Sequence, residues 1–162
     1  TNFMNSKGKN VKKIVIVGSG FGGVATYYAL HRALHGNREV EIVIVNPSNF
    51  FLFTPLLHEV ATGSVSPANI VEPIRRALRC CLSDFFEAQV KEIQLSEKRL
   101  VTTAGEINYD YCVVAIGAET NFFNTVGAEE HSFVLKSLED SVELKHHIIE
   151  CVEQAAHTSE RV

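Results

Sequence analysis

The sequence of 162 residues lacks a C-x-x-C pair among its four cysteines. Cys80 and Cys81 are adjacent, whereas Cys112 and Cys151 stand alone. Adjacent cysteines are poor joint ligands for zinc, and no histidine cluster completes a metal site. We therefore expect reduced thiols and no metal centre, as is usual for a cytoplasmic protein.

The sequence also lacks a long apolar segment. No run approaches the ~20 residues that a transmembrane helix needs. Residues 1–10, TNFMNSKGKN, are polar and have no apolar core of the kind found in signal peptides. We interpret residues 1–10 as a disordered leader and expect a cytoplasmic location for the chain.

A basic excess is missing as well. The chain carries 15 lysines and arginines against 19 acidic residues, which gives a net charge of −4. Because binding to phosphate backbones requires a basic face, nucleic acid is not an expected partner. The length is sufficient for one domain with its own core.

The sequence does contain a glycine motif between a strand pattern and a helix pattern. An apolar run ending at Val17 leads into GSGFGG, residues 18–23, and a helix-forming stretch follows at once. In this context G-x-G-x-x-G indicates dinucleotide binding. Gly18 permits the tight turn, Gly20 leaves room for a pyrophosphate, and Gly23 allows close helix–strand packing. The N–H groups of the helix N-terminus would hold the anion.

The first 45 residues predict a βαβ unit. We expect a strand over 12–17, a helix over 21–34 that ends near Gly36, and a second strand over 39–45. The second strand is almost continuously apolar, which is typical of a buried parallel strand. Asn46 follows it, at the position where an Asp or Glu commonly binds the adenosine ribose. Asn46 can make one ribose hydrogen bond or simply begin a turn. The absence of an arginine near this position argues against NADP, whose 2′-phosphate requires a cation.

The remainder of the chain alternates between apolar segments and turns. We expect an ordered loop over 50–63, interrupted by Pro55, and a last helix that Ser137 caps together with Asp140. This helix should carry Leu138, Val142, Ile149, Val152 and Ala156 on one face. The other predicted elements are a helix over 68–79, a strand over 84–93, an antiparallel excursion over 99–107 that turns at Ala104-Gly105, and strands over 109–116 and 131–135. The fold class is α/β, Rossmann-like, with a parallel central sheet and a small antiparallel β excursion.

Five segments together resemble one family. They are IVIVGSGFGG, NFFLFTPLLHEVATG, IVEPIRRAL, YDYCVVAIGAETNFF and GAEEHSFVLKSLED. They are similar to the N-terminal part of type II NADH dehydrogenases, the single-subunit NADH:quinone oxidoreductases. These are flavoproteins with two dinucleotide-binding domains. The resemblance covers residues 12–156, and the segment around Thr54-Pro55 is its most specific part.

The resemblance implies that the chain binds FAD, with roles for particular residues. The glycine motif would hold the FAD pyrophosphate through Gly18, Gly20 and Gly23 and the amides of Phe21 and Gly22. Asn46 and Pro47 would lie at the ribose, although many family members carry an acidic residue there. The other implied contacts are Thr54 and Pro55 beside the isoalloxazine ring, the backbone of Val90 at adenine, and Ala115 and Gly117 near the flavin, where Ile116 replaces the usual threonine.

The implied chemistry belongs to the cofactor. In the family, FAD accepts a hydride from NADH and passes electrons to a quinone, while the protein positions the flavin. No side chain of this chain needs to act as a nucleophile or general base. NADH and quinone would be substrates of the full-length parent, which we expect to be peripheral on the inner face of a membrane.

The family pattern requires more than this chain contains. A second glycine motif for NADH, a late return to the FAD domain and a C-terminal membrane-associating segment do not occur in the 162 residues. We therefore expect residues 11–162 to be an incomplete FAD-binding domain that is inactive on its own. Apolar surface left without its covering segments would favour a homodimer of the fragment.

Two other functions stay open at this point. A fragment of a sulfide:quinone oxidoreductase would share the architecture, but that chemistry needs redox cysteines near the flavin. Cys80, Cys81 and Cys151 do not have the expected arrangement. The other alternative is a non-catalytic nucleotide-binding module, because a fold alone never proves a function.

Overall fold

The computed structural model describes residues 11–78 and 83–157. The chain divides into two compact units. The first comprises the chain up to Phe51 together with Pro73–Gly117, and the second comprises Leu52–Glu72 together with the chain from Ala118 onward. The expected leader, the end of the expected helix over 68–79, and both Cys80 and Cys81 lie outside the described residues.

The predicted βαβ unit is confirmed. The predicted bounds of the first strand and of the helix agree with the structure. The second strand begins and ends one residue later than predicted. In chain order the strands are β1 Lys12–Val17, β2 Val40–Asn46, β3 Phe50–Leu52, β4 Val71–Pro73, β5 Ser83–Glu87, β6 Val90–Gln94, β7 Arg99–Thr102, β8 Gly105–Asn108 and β9 Tyr111–Val114. The helices are α1 Phe21–Leu34, α2 Leu57–Ala61, α3 Ile74–Ala77 and α4 Leu138–His157.

The first unit is built on a parallel sheet with the strand order β5-β2-β1-β9. Strand β1 lies inside this sheet, with β2 on one side and β9 on the other. Its residues 14–17 are buried, as are residues 42–45 of β2. Continuous apolar runs of this kind are typical of parallel strands that are covered on both faces. The structure thus confirms the predicted α/β class and its parallel sheet.

The two faces of the parallel sheet have different covers, because alternate side chains of a strand point in opposite directions. On one face, Ile16 and Ile44 pack with Tyr27 of α1 and Ile74 of α3. On the other face, valines of β1 and β2 pack with Leu100 of β7. Each fully buried Val, Ile or Leu side chain contributes about 1.5–3 kcal/mol. One sheet therefore organises two hydrophobic layers.

The antiparallel sheet has the order β6-β7-β8 and confirms the expected excursion. Strands β7 and β8 pair so that Thr102 lies opposite Gly105. The turn is therefore Thr103-Ala104, one residue earlier than predicted. Gly105 has a φ of 129°, which favours glycine at this position.

The single strand expected over 84–93 is wrong. Strand β5 ends at Glu87 in the parallel sheet, and β6 begins at Val90 in the antiparallel sheet. At the break the N–H of Gln89 donates to the Thr103 hydroxyl oxygen at 3.0 Å, and Ala88 is buried. Alternation of apolar residues continues through such a break, because it records burial and not the identity of the pairing strand.

The loop expected over 50–63 is also wrong, since short regular elements occupy it. Strand β3 is followed by a 3-10 turn, Thr54–Leu56, and then by α2. Pro55 occurs in the first turn, where its missing N–H breaks no hydrogen bond. In the second unit Leu57 and Val60 of α2 are buried against Ile70. Their burial explains why so short a helix is ordered.

The helix expected over 68–79 is replaced by three shorter elements. A 3-10 turn, Pro67–Asn69, precedes β4, and α3 begins only at Ile74. Pro73 disfavours the α conformation for the residue before it, so the chain is extended up to that proline. β4 pairs with β3 in a two-stranded sheet. Residues 131–135 form no strand within the described part of the chain, since no neighbouring strand pairs with them.

The last helix, α4, confirms the predicted capping box. The Ser137 N–H donates to Asp140 Oδ2 at 2.7 Å, and the Asp140 N–H donates to Ser137 Oγ at 3.1 Å. Burial acts to raise the pKa of Asp140, but the hydrogen bonds that its carboxylate accepts from the Ser137 and Lys136 N–H groups outweigh burial and hold the pKa below its ordinary value. Leu138 packs on the α2 cluster, whereas Ile149 and Val152 are exposed.

Membrane-spanning character is absent from the described helices. None of them is both long enough and apolar enough to cross a bilayer.

Tyr109 provides a test of polar burial in the first core. The residue is 9 % exposed, and its hydroxyl has no hydrogen-bond partner. A buried unsatisfied hydroxyl costs about 1–3 kcal/mol. We predict that Tyr109→Phe leaves the fold intact and raises the free energy of unfolding by about 1 kcal/mol, measured by urea denaturation. A loss of stability would contradict this and would indicate that an ordered water binds the hydroxyl.

Asp110 provides a test of electrostatics at the start of β9. Its carboxylate accepts from the Lys12 ammonium at 2.8 Å and from the Lys13 N–H at 2.9 Å. These two bonds lower the pKa of Asp110. A carboxyl whose pKa is lowered by folding stabilises the native state at neutral pH, and this contribution is lost on acidification from about pH 5 downwards. We predict that Asp110→Asn has a lower free energy of unfolding than wild type at pH 7, measured by urea denaturation. At pH 3 the difference in free energy between the two proteins should be smaller. A difference independent of pH would contradict the assignment.

Candidate dinucleotide-binding site

The glycine turn between β1 and α1 is held by backbone contacts of the first unit. The Gly18 N–H donates to the Val45 carbonyl at 2.8 Å, and the Ala115 N–H donates to the Val17 carbonyl at 2.8 Å. Gly18 has a φ of 104°, and a Cβ added there would collide with the Ala115 carbonyl. The turn is therefore wedged between the carboxyl ends of β2 and β9.

The three glycines of the motif differ in what surrounds them. A Cβ at Gly23 would collide with the carbonyl oxygen of Gly18, so this position permits the close approach of α1 to β1. At Gly20 a Cβ would meet no atom within 4 Å, and φ is −75°, a value open to any residue. Neither strain nor protein contact accounts for a glycine at position 20. A pyrophosphate close to the backbone would account for it.

The electrostatics at this end of α1 favour an anion. No side chain caps the helix at Gly20, and its first turn contains no acidic residue. The N–H groups of a first helical turn have no partners within the helix, and the helix dipole adds partial positive charge there. A bound phosphate would satisfy both.

Asn46 lies beside this turn, at the end of β2. Its Oδ1 accepts from the Ser19 N–H at 3.3 Å, and its Nδ2 donates to the Ser48 carbonyl at 2.9 Å. The side chain therefore joins the glycine turn to the bend after β2. These two bonds show that Asn46 contacts the neighbouring backbone, and its expected contact with a ribose stays a prediction. The hydrogen bond from Ser19 to Asn46 was not predicted. Ser19 donates through its backbone N–H, which almost every residue type has, so the sequence gives no signal for this bond.

The residues after β9 also approach the glycine turn. A Cβ at Gly22 would lie 3.6 Å from the Ala115 Cβ, an ordinary contact. Ile116 is 73 % exposed, and Gly117 has a φ of 77°. The structure thus brings together the predicted residues Gly18, Gly20, Phe21, Gly22, Gly23, Asn46 and Ala115.

Other predicted site residues lie elsewhere. Pro47 is in the bend after β2, and Val90 begins β6 with its side chain packed against the valine face of the core. The backbone contact to a ligand that was expected at Val90 stays a prediction. Thr54 and Pro55 belong to the second unit, where both are exposed. Phe51 of the aromatic segment contacts Phe21, with ring centroids 5.0 Å apart.

Comparisons with known proteins identify the family of the chain. The family model described as pyridine nucleotide-disulphide oxidoreductase matches residues 12–158. The external alternative NAD(P)H-ubiquinone oxidoreductase B4 of Arabidopsis thaliana mitochondria is 38 % identical over 156 residues, which cover 90 % of this chain and 26 % of that protein. The chain thus spans about a quarter of the length of the curated relatives it matches.

Two solved structures share the fold. The sulfide:quinone oxidoreductase of Aquifex aeolicus is 26 % identical with a TM-score of 0.76, covering 88 % of this chain and 33 % of that one. NDH2 of Plasmodium falciparum is 24 % identical with a TM-score of 0.77, covering 93 % of this chain and 31 % of that one.

The different work of the glycines leads to a prediction about stability. Gly23→Ala should lower the free energy of unfolding by more than 2 kcal/mol, roughly, because helix and strand must separate. Gly20→Ala should change it by less than about 0.5 kcal/mol, since the added methyl group meets nothing. Urea denaturation of both variants checks this. Equal losses in the two variants would contradict the assignment of Gly20 to a ligand.

Proposed function

The chain belongs to the pyridine nucleotide-disulphide oxidoreductase family, and we propose on this basis that it is the FAD-binding portion of an NADH:quinone oxidoreductase. The named activity of the Arabidopsis relative supports the reaction class. NADH and quinone would then bind the full-length parent. Their sites would lie in the region that corresponds to the three quarters of the relatives that this chain does not match.

One observation carries the proposal. Gly20 faces open space at the start of α1, a helix end without a side-chain cap and without an acidic first turn. The backbone can therefore approach a pyrophosphate closely, and the helix end favours its charge. The residues present thus fit the phosphate portion of FAD.

Each part of the cofactor has candidate residues. The flavin supplies the redox chemistry when bound, accepting a hydride from NADH and giving electrons to a quinone. We assign the binding and orientation of the flavin to groups of this chain, and the reaction requires no nucleophile or base among them. We assign Gly18, Gly20, Phe21, Gly22 and Gly23 to the pyrophosphate, Asn46 and Pro47 to the ribose region, the Val90 backbone to adenine, and Thr54, Pro55, Ala115 and Gly117 to the flavin.

Two features of the parent are proposals of the same kind. We assign residues 11–162 to one FAD-binding domain, with the NADH domain contributed by the rest of the parent. The relatives are mitochondrial proteins that use ubiquinone, a membrane-soluble substrate. A peripheral membrane location of the parent would give it access to this substrate.

The sulfide:quinone oxidoreductase of Aquifex aeolicus, 26 % identical, supports a second candidate reaction. That reaction would need reactive thiols at the flavin. Burial raises the pKa of Cys112, the cysteine described in the first unit, which keeps its thiol protonated and weakly nucleophilic. Cys112 is therefore a weak nucleophile, and the named activity of the Arabidopsis relative is the reason we favour the NADH reaction.

FAD binding is directly measurable. The purified chain, incubated with FAD and freed of unbound ligand, should retain a flavin absorption band near one equivalent. Gly20→Ala should retain about tenfold less or none, because its methyl group occupies the space of the pyrophosphate. The matched control is the thermal melt of the same variant, which should be that of wild type.

Two results would contradict the proposal. A folded wild-type chain that stays colourless would favour a non-catalytic module. Equal flavin retention by wild type and Gly20→Ala would place the cofactor away from this turn.

A further inference from the structure

The carboxyl end of β5 carries a polar residue, Glu87, next to Asn46 of β2. We propose that Glu87 supplies the carboxylate that binds the adenosine ribose, a role that this fold commonly gives to an acidic residue at the end of the second strand. The inference rests on the FAD-binding function proposed above. It concerns which residue recognises the ribose, and not whether FAD binds.

The residue at the usual position is already engaged. Both ends of the Asn46 amide bond the backbone, at the Ser19 N–H and the Ser48 carbonyl. An amide also cannot make the charge-assisted bond of a carboxylate. Asn46 therefore acts as a positioning residue for the glycine turn, and the ribose hydroxyls lack a strong acceptor on β2.

The strand register places Glu87 next to this position. Asn46 pairs with Glu87 in the parallel ladder of β2 and β5, at the carboxyl edge of the sheet. The Ala88 N–H donates to the Asn46 carbonyl at 3.1 Å, which fixes the two strand ends together. Paired residues of parallel strands point to the same face, and that face is the one against which α1 packs.

The side chain of Glu87 is suited to a ligand. It is exposed, and its carboxylate has no partner among the described residues. Neighbouring strands lie about 4.8 Å apart, so a long side chain on β5 can reach the space in front of β2. Three residues further along lies Val90, whose backbone is assigned to adenine. Glu87 thus stands between the residues assigned to the pyrophosphate and to the base.

The test compares Glu87→Gln with a matched control, Glu39→Gln. Glu39 is also an exposed glutamate, but it precedes β2 at the opposite edge of the same sheet. We expect Glu87→Gln to raise the Kd for FAD about tenfold, and Glu39→Gln to leave it within twofold. Binding is measured by quenching of flavin fluorescence, with thermal melts to show that both variants fold.

A second measurement removes the ribose hydroxyls and needs no variant. ADP and 2′,3′-dideoxy-ADP are compared as competitors of FAD. Wild type should prefer ADP about tenfold, and Glu87→Gln should lose most of this preference. Coupling of the two changes would identify the hydroxyls as the group that the carboxylate binds.

The outcomes separate this inference from the proposed function. Equal FAD binding by wild type and Glu87→Gln overturns the role of Glu87 alone, as does a wild type that does not distinguish the two nucleotides. If Glu39→Gln weakens FAD binding as much as Glu87→Gln does, the effect comes from the net charge of the protein. This result would also overturn the role of Glu87. A folded wild type that binds no FAD overturns both proposals.

Discussion

The structure of the first unit depends on a contact between backbones. At the carboxyl edge of the parallel sheet, the turn after β1 meets the carbonyl of Ala115 on one side and the start of α1 on the other. Gly18 and Gly23 are the residues that make these approaches possible, because any Cβ would displace backbone atoms. The placement of α1 on the sheet, the convergence of β9 on the turn, and the exposure of the helix N-terminus all follow from this contact.

The dry core and the polar edge of the sheet have separate origins. Apolar residues on both faces of β1 and β2 bury the strands between α1 and α3 on one side and the antiparallel sheet on the other. This burial strongly specifies the strand register, because a shift by one residue would turn the apolar side chains to the opposite face. The residues that follow the strands are thereby free to be polar. Asn46 uses this freedom to join two turns, while Glu87 at the same edge keeps its carboxylate unengaged.

A binding site of this kind needs rigidity in the protein and space for the ligand at the same place. Gly18 and Gly23 provide rigidity, because their close contacts allow the turn few alternatives. Gly20 provides space, because nothing in the protein lies where its side chain would be. The uncapped end of α1 remains available to an anion, since its own first turn supplies no carboxylate. The same six-residue turn thus combines a structural and a binding role.

The sequence by itself determined the elements whose signals are local. The bounds of β1 and α1, the buried character of β2 and the capping box of Ser137 and Asp140 all depend on neighbouring residues, which periodicity and capping rules record. Tertiary structure decided the rest. The segment over 84–93 divides between two sheets, the segment over 50–63 is ordered by burial against Ile70, and residues 131–135 find no partner strand. In the site, the motif predicted the glycines, but the pairing of Asn46 with Glu87 required the register of two distant strands. Pairing and burial are contacts between remote parts of a chain, and no local pattern specifies which parts will meet.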